Sequence, residues 1–312
     1  FCIMNRNTDM KKIIVLAAVA AMLPVSLMAQ TAPDGGLSPE VLSRISKGYT
    51  GTSYDKAVRN ALAGSSVNVM ATNAENASMI DTHFSDMVKT KGITDQKSSG
   101  RCWLFTGLNV LRAKMIEKYN LGSFTFSQNY LFFYDQLEKA NLFLQGVIDT
   151  RKLPFDDRKV DWLFSNPLSD GGQFTGVSDL AMKYGLVPSE VMPETYSSNN
   201  TSQMALQLKT ILRQGGLALR AAYDASPAAS AKGKNAAAAE VKVNAELLKI
   251  KESVLTDVYR ILSLCLGVPP ASFEWSMYDS SDKLVSTEEY TPLSFYKKYV
   301  DEDLDGNYVM LM

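Results

Sequence analysis

The sequence predicts an α+β protein that is mostly helical. Three observations carry this. Segments 103–118, 127–144 and most of 202–266 place apolar residues at helical spacing. Alternation of the β kind shows only at Tyr308-Val309-Met310-Leu311. With 46% apolar residues, the 312-residue chain is globular in composition and long enough for a large core.

The elements follow in order. Met10 reads as the true start, with residues 1–9 upstream of it. Met10-Lys11-Lys12 is a short basic region, and Ile13 to Leu23 is an apolar run shorter than the roughly 20 residues that span a bilayer. Ser26-Leu27-Met28-Ala29 offers a cleavage site with Ala29 last. Residues 10–29 are therefore expected to be a cleaved signal peptide. The protein is expected to be exported, periplasmic or secreted, with no stable membrane anchor. Residues 30–90 are polar and weakly patterned and are expected to form an N-terminal arm packed over the body.

Leu104, Leu108, Leu111 and Met115 share one face of the first strong helix. Ser127 is a good N-cap for the second, with Tyr130, Leu131, Tyr134, Leu137, Asn141 and Leu144 on one face. Pro154 closes that region. Asp170-Gly171-Gly172 reads as a turn, and residues 176–184 as a short helix ended by Gly185. From 202 to 266 the chain is helical, with a small-residue break at 224–236. The stripe from Leu247 to Cys265 is core, and Gly267 with Pro269-Pro270 ends it.

The chemistry concentrates at residues 93–105. Gln96 precedes Cys102 by six positions, Gly100 lies between them, and an apolar helix starts at Trp103. A helix N-terminus supplies unpaired N–H groups and a positive dipole end, which suit negative charge on a sulfur placed there. Glycine before the cysteine lets a substrate approach the backbone. Attack on an amide carbonyl develops an oxyanion that needs donors already aimed at it. The Cys102 N–H and the Gln96 carboxamide are the candidates. Of the other cysteines, Cys2 precedes the leader and Cys265 reads as a buried helix residue, so Cys102 is expected to be a free thiol. The near-neutral balance of 32 basic and 33 acidic residues excludes a nucleic-acid footprint.

The run Thr94-Asp95-Gln96-Lys97-Ser98-Ser99-Gly100-Arg101-Cys102-Trp103-Leu104-Phe105 resembles papain-like cysteine peptidases, and more closely their aminopeptidase C/bleomycin hydrolase branch. The resemblance continues through Leu108-Asn109-Val110-Leu111-Arg112, Phe126 to Phe133 and Asp170-Gly171-Gly172-Gln173. It also covers Cys265 to Pro270 and Thr291 to Tyr296. Asp95 stands where asparagine is expected. The resemblance implies a papain-like fold: a helical half at 91–200 with the nucleophile, a helical insertion at 201–285, and the start of a truncated β half at 286–312. It makes Cys102 the nucleophile and Gln96 the oxyanion donor. Gly100, Trp103, Gly171 and Gly172 are expected to bind substrate, the Gly-Gly pairing with peptide backbone. Papain relatives often join the positions of Ser99 and Ser169 by a disulfide, and both are serine here. Peptides are the implied substrates, a closed homohexameric ring the implied assembly, and no metal or organic cofactor is implied.

The resemblance also calls for a base histidine and an orienting asparagine far downstream. The one histidine, His83, stands upstream of the cysteine and reads as a surface residue. The sequence is therefore expected to be the N-terminal portion of such a peptidase, inactive by itself and with an exposed apolar face. The alternative is a non-catalytic interaction protein that retains the helical half. Asp301-x-Asp303-x-Asp305-Gly306 matches the opening of a calcium loop, but Met312 stands where its closing glutamate belongs, so an acidic turn is expected.

Overall fold

The computed structural model describes residues 37–88, 90–231, 234–300, 303, 304 and 306. The leader, the stretch 308–311 and two of the three aspartates of the acidic loop (Asp301 and Asp305) lie outside the described residues. The chain divides into two compact units, Phe1–Phe84 and Ser85–Met312.

The first unit carries four short helices: α1 Pro39–Lys47, α2 Ser53–Gly64, α3 Val67–Ala71 and α4 Ala74–Ser78. Local chemistry starts each one. Ser38, Thr52, Ser66 and Asn73 accept from backbone N–H groups of the first turn, and Thr52 with Asp55 closes a reciprocal capping box. None of their described residues is buried.

The second unit is built around α6, Gln128–Asp149. Ser127 caps it as expected, accepting from the Tyr130 N–H at 3.0 Å. Leu131, Phe132, Phe133, Ala140, Leu144 and Val147 are fully enclosed, which no single amphipathic stripe would require. The reason is that α6 is packed on several sides. It touches α5 (Cys102–Lys118), α7 (Arg158–Ser165), α8 (Phe174–Tyr184), α10 (Ser202–Asp224) and α11 (Lys234–Leu266). The short α9, Tyr196–Asn199, precedes the α10–α11 pair. These two long helices lie against each other so closely that a Cβ on Gly215 would meet Val254 at 2.7 Å. Among the described residues, no helix is long and apolar enough to cross a membrane.

The β element differs from expectation. An antiparallel hairpin pairs β1, Phe273–Tyr278, with β2, Leu284–Tyr290, in the register Phe273↔Tyr290 and Trp275↔Glu288. Phe273, Trp275 and Met277 point into the core. Trp275 meets Phe295 of α12 (Pro292–Tyr299) at 5.2 Å between ring centroids. The alternation of these three residues, followed by Asp279-Ser280-Ser281-Asp282, is a β signal. It is easy to miss because most of β2 faces solvent and reads as a polar loop. The helix-ending Gly185 has φ +79°, and a Cβ there would lie 2.2 Å from the Pro292 carbonyl carbon, so the start of α12 seats on bare backbone.

Candidate active site

Cys102 is the first residue of α5, and its side chain is exposed. The helix behind it is anchored: Leu104, Leu108, Leu111 and Met115 are all buried. Leu104 and Phe105 both donate to the Arg101 carbonyl at 3.0 Å. Cys102 lies ahead of those bonds, so its N–H is among the donors without an intrahelical acceptor. Cys265 is also a free thiol, half-buried on α11 rather than fully enclosed. It borders the outer turn of the helix, where Leu264 is exposed.

The turn ahead of Cys102 is tied by its own side chains. Lys97 adopts φ +53°, an uncommon conformation for a non-glycine residue. Asp95 supports it, accepting from the Lys97 N–H at 2.8 Å and Nζ at 2.6 Å. Those bonds hold the Asp95 carboxyl below its usual range, the lysine side chain contributing most. A neighbouring donor is all that an aspartate in the asparagine position needs. Gln96 Nε2 donates to the Ser99 carbonyl at 2.6 Å, and Ser99 Oγ returns a bond to the Gln96 carbonyl at 2.6 Å. A carboxamide has two N–H donors. One of them fixes Gln96 in the turn, so the carboxamide is partly committed to Ser99.

Arg101 was not singled out by the sequence reasoning, and it is the most confined charge among the described residues. Its side chain is 0% exposed. It forms a bidentate pair with Glu194 at 3.0 and 2.8 Å, donates from Nε to Ser99 Oγ at 3.0 Å, and lies over the Phe105 and Phe132 rings. The signal was present: a charged residue directly before a wholly apolar helix start must either face water or find a buried partner.

Asp170 is the second organiser. Its Oδ2 accepts from the Gly100 N–H at 2.8 Å and from Thr201 Oγ1 at 2.7 Å, and its carbonyl accepts from Trp103 Nε1 at 2.8 Å. Burial pushes its carboxyl up, but the Gly100 and Thr201 bonds outweigh this and hold it below the usual value. The three expected glycines then separate by role. A Cβ on Gly100 would meet the Asp170 carboxyl carbon at 3.0 Å, so that glycine accommodates Asp170 as much as any substrate. A Cβ on Gly172 would meet the Trp103 indole at 2.7 Å. Gly171 has open space where its side chain would be. Trp103, expected beside substrate, is 8% exposed and supports the exposed Gly171-Gly172 segment from beneath.

The sequence profile of the Peptidase C1-like family matches residues 36–312. The chain belongs to that family. It is 39% identical over 233 residues to aminopeptidase C of Lactobacillus delbrueckii subsp. lactis, covering 75% of this chain and 48% of the relative. It is 35% identical over 212 residues to bleomycin hydrolase of Rattus norvegicus, covering 67% and 43%. The crystal structure of PepW from Lactobacillus rhamnosis superposes with a TM-score of 0.73 at 33% identity, over 88% of this chain and 58% of that one. The papain-like α+β fold of the aminopeptidase C/bleomycin hydrolase type is thereby shown. The chain spans about half the length of the curated relatives it matches. His83 is exposed and lies in the first unit, where its backbone N–H donates to Asp81 at 2.9 Å.

Proposed function

We propose that this chain carries the nucleophile of a cysteine-type aminopeptidase acting on peptides. The observation that supports it most is an exposed thiol at the tip of a buried helix, in a turn bonded through Asp170 to an exposed Gly-Gly segment. Sulfur attacks the carbonyl carbon of a peptide bond, and the oxyanion forms against the Cys102 N–H and the Gln96 carboxamide. The C–N bond then breaks and the amine leaves with a proton. Water hydrolyses the thioester, releasing the acid and restoring the thiol. Removing one oxyanion donor costs about 2.7–4 kcal/mol of transition-state stabilisation. The reading extends to an exported protein with a leader at residues 10–29 and to assembly as a ring. Both rest on the sequence and the resemblance.

His83 is not assigned as the base. The 312 residues alone are expected to react at Cys102 without turning over aminoacyl-coumarin substrates. The test is labelling by a dipeptidyl chloromethyl ketone with a free α-amine, in which sulfur displaces chloride. Saturable labelling of Cys102, faster than that by iodoacetamide at equal concentration, is the expected result. Labelling of Cys102 that shows no saturation and no preference for the peptidyl reagent overturns the peptidase reading and favours the interaction protein. Cys102-dependent turnover of the coumarin substrate overturns only the statement about the base.

A further inference from the structure

We propose that Lys139, on α6, is a positioning residue that sets the Gly171-Gly172 segment for substrate backbone. The assignment rests on the peptidase reading above and goes beyond it to a residue outside the nucleophile turn. An ammonium has three donors, and all three of Lys139 are used. Nζ donates to Asp135 Oδ2 at 2.8 Å, to the Ser169 carbonyl at 3.0 Å and to the Gly171 carbonyl at 2.7 Å. The same ammonium lies 5.4 Å from the centroid of the Trp103 ring. It therefore touches both the segment that would hold substrate and the tryptophan beneath that segment.

The consequence is a fixed orientation of the segment. Gly171 gives one lone pair of its carbonyl to Lys139, which fixes how that carbonyl is turned. Its neighbour Gly172 is pressed against Trp103 on the side where a Cβ would project. Gly172 follows directly, so the orientation that Lys139 imposes on Gly171 carries over to the backbone groups of Gly172. Asp135 in turn holds Lys139: it is 6% exposed, and Gln136 Nε2 also donates to its carboxylate at 2.9 Å. Gln136 adds a bond to the Ser169 carbonyl at 3.1 Å. One turn of α6 thereby clamps Ser169 and Gly171 of the loop opposite.

Charged hydrogen bonds of this kind are strong enough that losing two of them to the rail weakens peptide binding by about tenfold. The test compares Lys139→Met, Lys139→Gln and Lys139→Arg in the full chain, with the exposed Lys183→Met as control. Two rates are read at Cys102: saturable labelling by the dipeptidyl chloromethyl ketone and simple alkylation by iodoacetamide. The expected result is a half-saturating concentration about tenfold higher in Lys139→Met, intermediate in Lys139→Gln and restored by Lys139→Arg. Iodoacetamide rates stay within twofold of the parent, because that reagent does not use the rail. Far-UV circular dichroism identifies folded variants, and if Lys139→Met unfolds, the Gln-against-Arg comparison decides. An unchanged half-saturation in folded variants overturns the Lys139 assignment and leaves the peptidase reading standing. A parent protein without saturation overturns both.

Discussion

Replacing Glu194 by alanine strands the Arg101 guanidinium beneath the helix that carries Cys102. Arg101 is 0% exposed and Glu194 26% exposed, so the pair is closer to a buried than to a surface ion pair. Removing one partner of a buried pair costs roughly 3–5 kcal/mol, because the remaining charge has lost its compensation. Two features reduce that here. Arg101 keeps the Ser99 Oγ bond at 3.0 Å and the faces of Phe105 and Phe132 at 5.0 and 5.1 Å. The carboxylate of Glu194 is partly hydrated. Against this, Ser198 Oγ loses its 2.7 Å bond to the same carboxylate. The expected loss is about 2–3 kcal/mol, which at a urea slope of about 2–3 kcal/mol/M lowers the unfolding midpoint by about 1 M. Tryptophan fluorescence follows the transition. Hydrogen exchange at the Leu104 and Phe105 amides, both bonded to the Arg101 carbonyl, should rise in the same variant. The double variant Arg101→Met/Glu194→Met replaces the pair by apolar volume and should recover at least half of the loss. A Glu194→Ala loss below about 0.5 kcal/mol, or a double variant worse than the single, would refute the view that the pair anchors the turn that carries Cys102.

Two further outcomes follow from the same structure. Gly185→Ala combines a left-handed φ of +79° with a Cβ only 2.2 Å from backbone, so it should cost more than about 3 kcal/mol or abolish soluble expression. A thermal midpoint within about 2 °C of the parent would contradict it. Asp170 has a folded-state pKa below its unfolded value, so its contribution is full above the unfolded value near 4 and is lost as pH falls through the folded one. Asp135 runs the other way: burial pushes its carboxyl up against the pull of Lys139, so its contribution is lost as pH rises through the folded value. Asp170→Asn should therefore flatten the acid limb of the stability curve, measured as urea midpoints from pH 3 to 7. An unchanged acid limb would place that limb on other carboxylates.

Which parts were legible depends on the reach of the interaction. Cys102 at the start of a buried helix, Ser127 as a cap and Gly185 as a terminator are all set by residues within a turn, and periodicity exposes them. The break between α10 and α11 is equally local. Asp170 is different. Its partners Gly100 and Thr201 stand 70 and 31 residues away, and a carboxylate before two glycines reads simply as a turn. Lys139 carries no sequence signal, because its acceptors are loop carbonyls, which no side-chain pattern announces. The hairpin was hidden by β2, whose exposed residues, Glu288 and Glu289 among them, carry no alternation to pair with Phe273, Trp275 and Met277.

The Ser99 and Ser169 pair gains meaning from this network. Papain-like relatives often join those two positions by a covalent bridge, and here the two segments are joined one residue further along, Gly100 N–H to Asp170 Oδ2. Lys139 and Gln136 add bonds to the Ser169 carbonyl, and Arg101 Nε adds one to Ser99 Oγ. The functional difference lies in what breaks each join. A disulfide beside a catalytic thiol is exposed to the same thiol exchange that the nucleophile must escape by staying reduced. A carboxylate and an ammonium are indifferent to redox poise but are sensitive to acid and to loss of burial. The seat of Cys102 therefore depends on keeping Asp170 ionised and Arg101 enclosed, and reducing conditions do not loosen it.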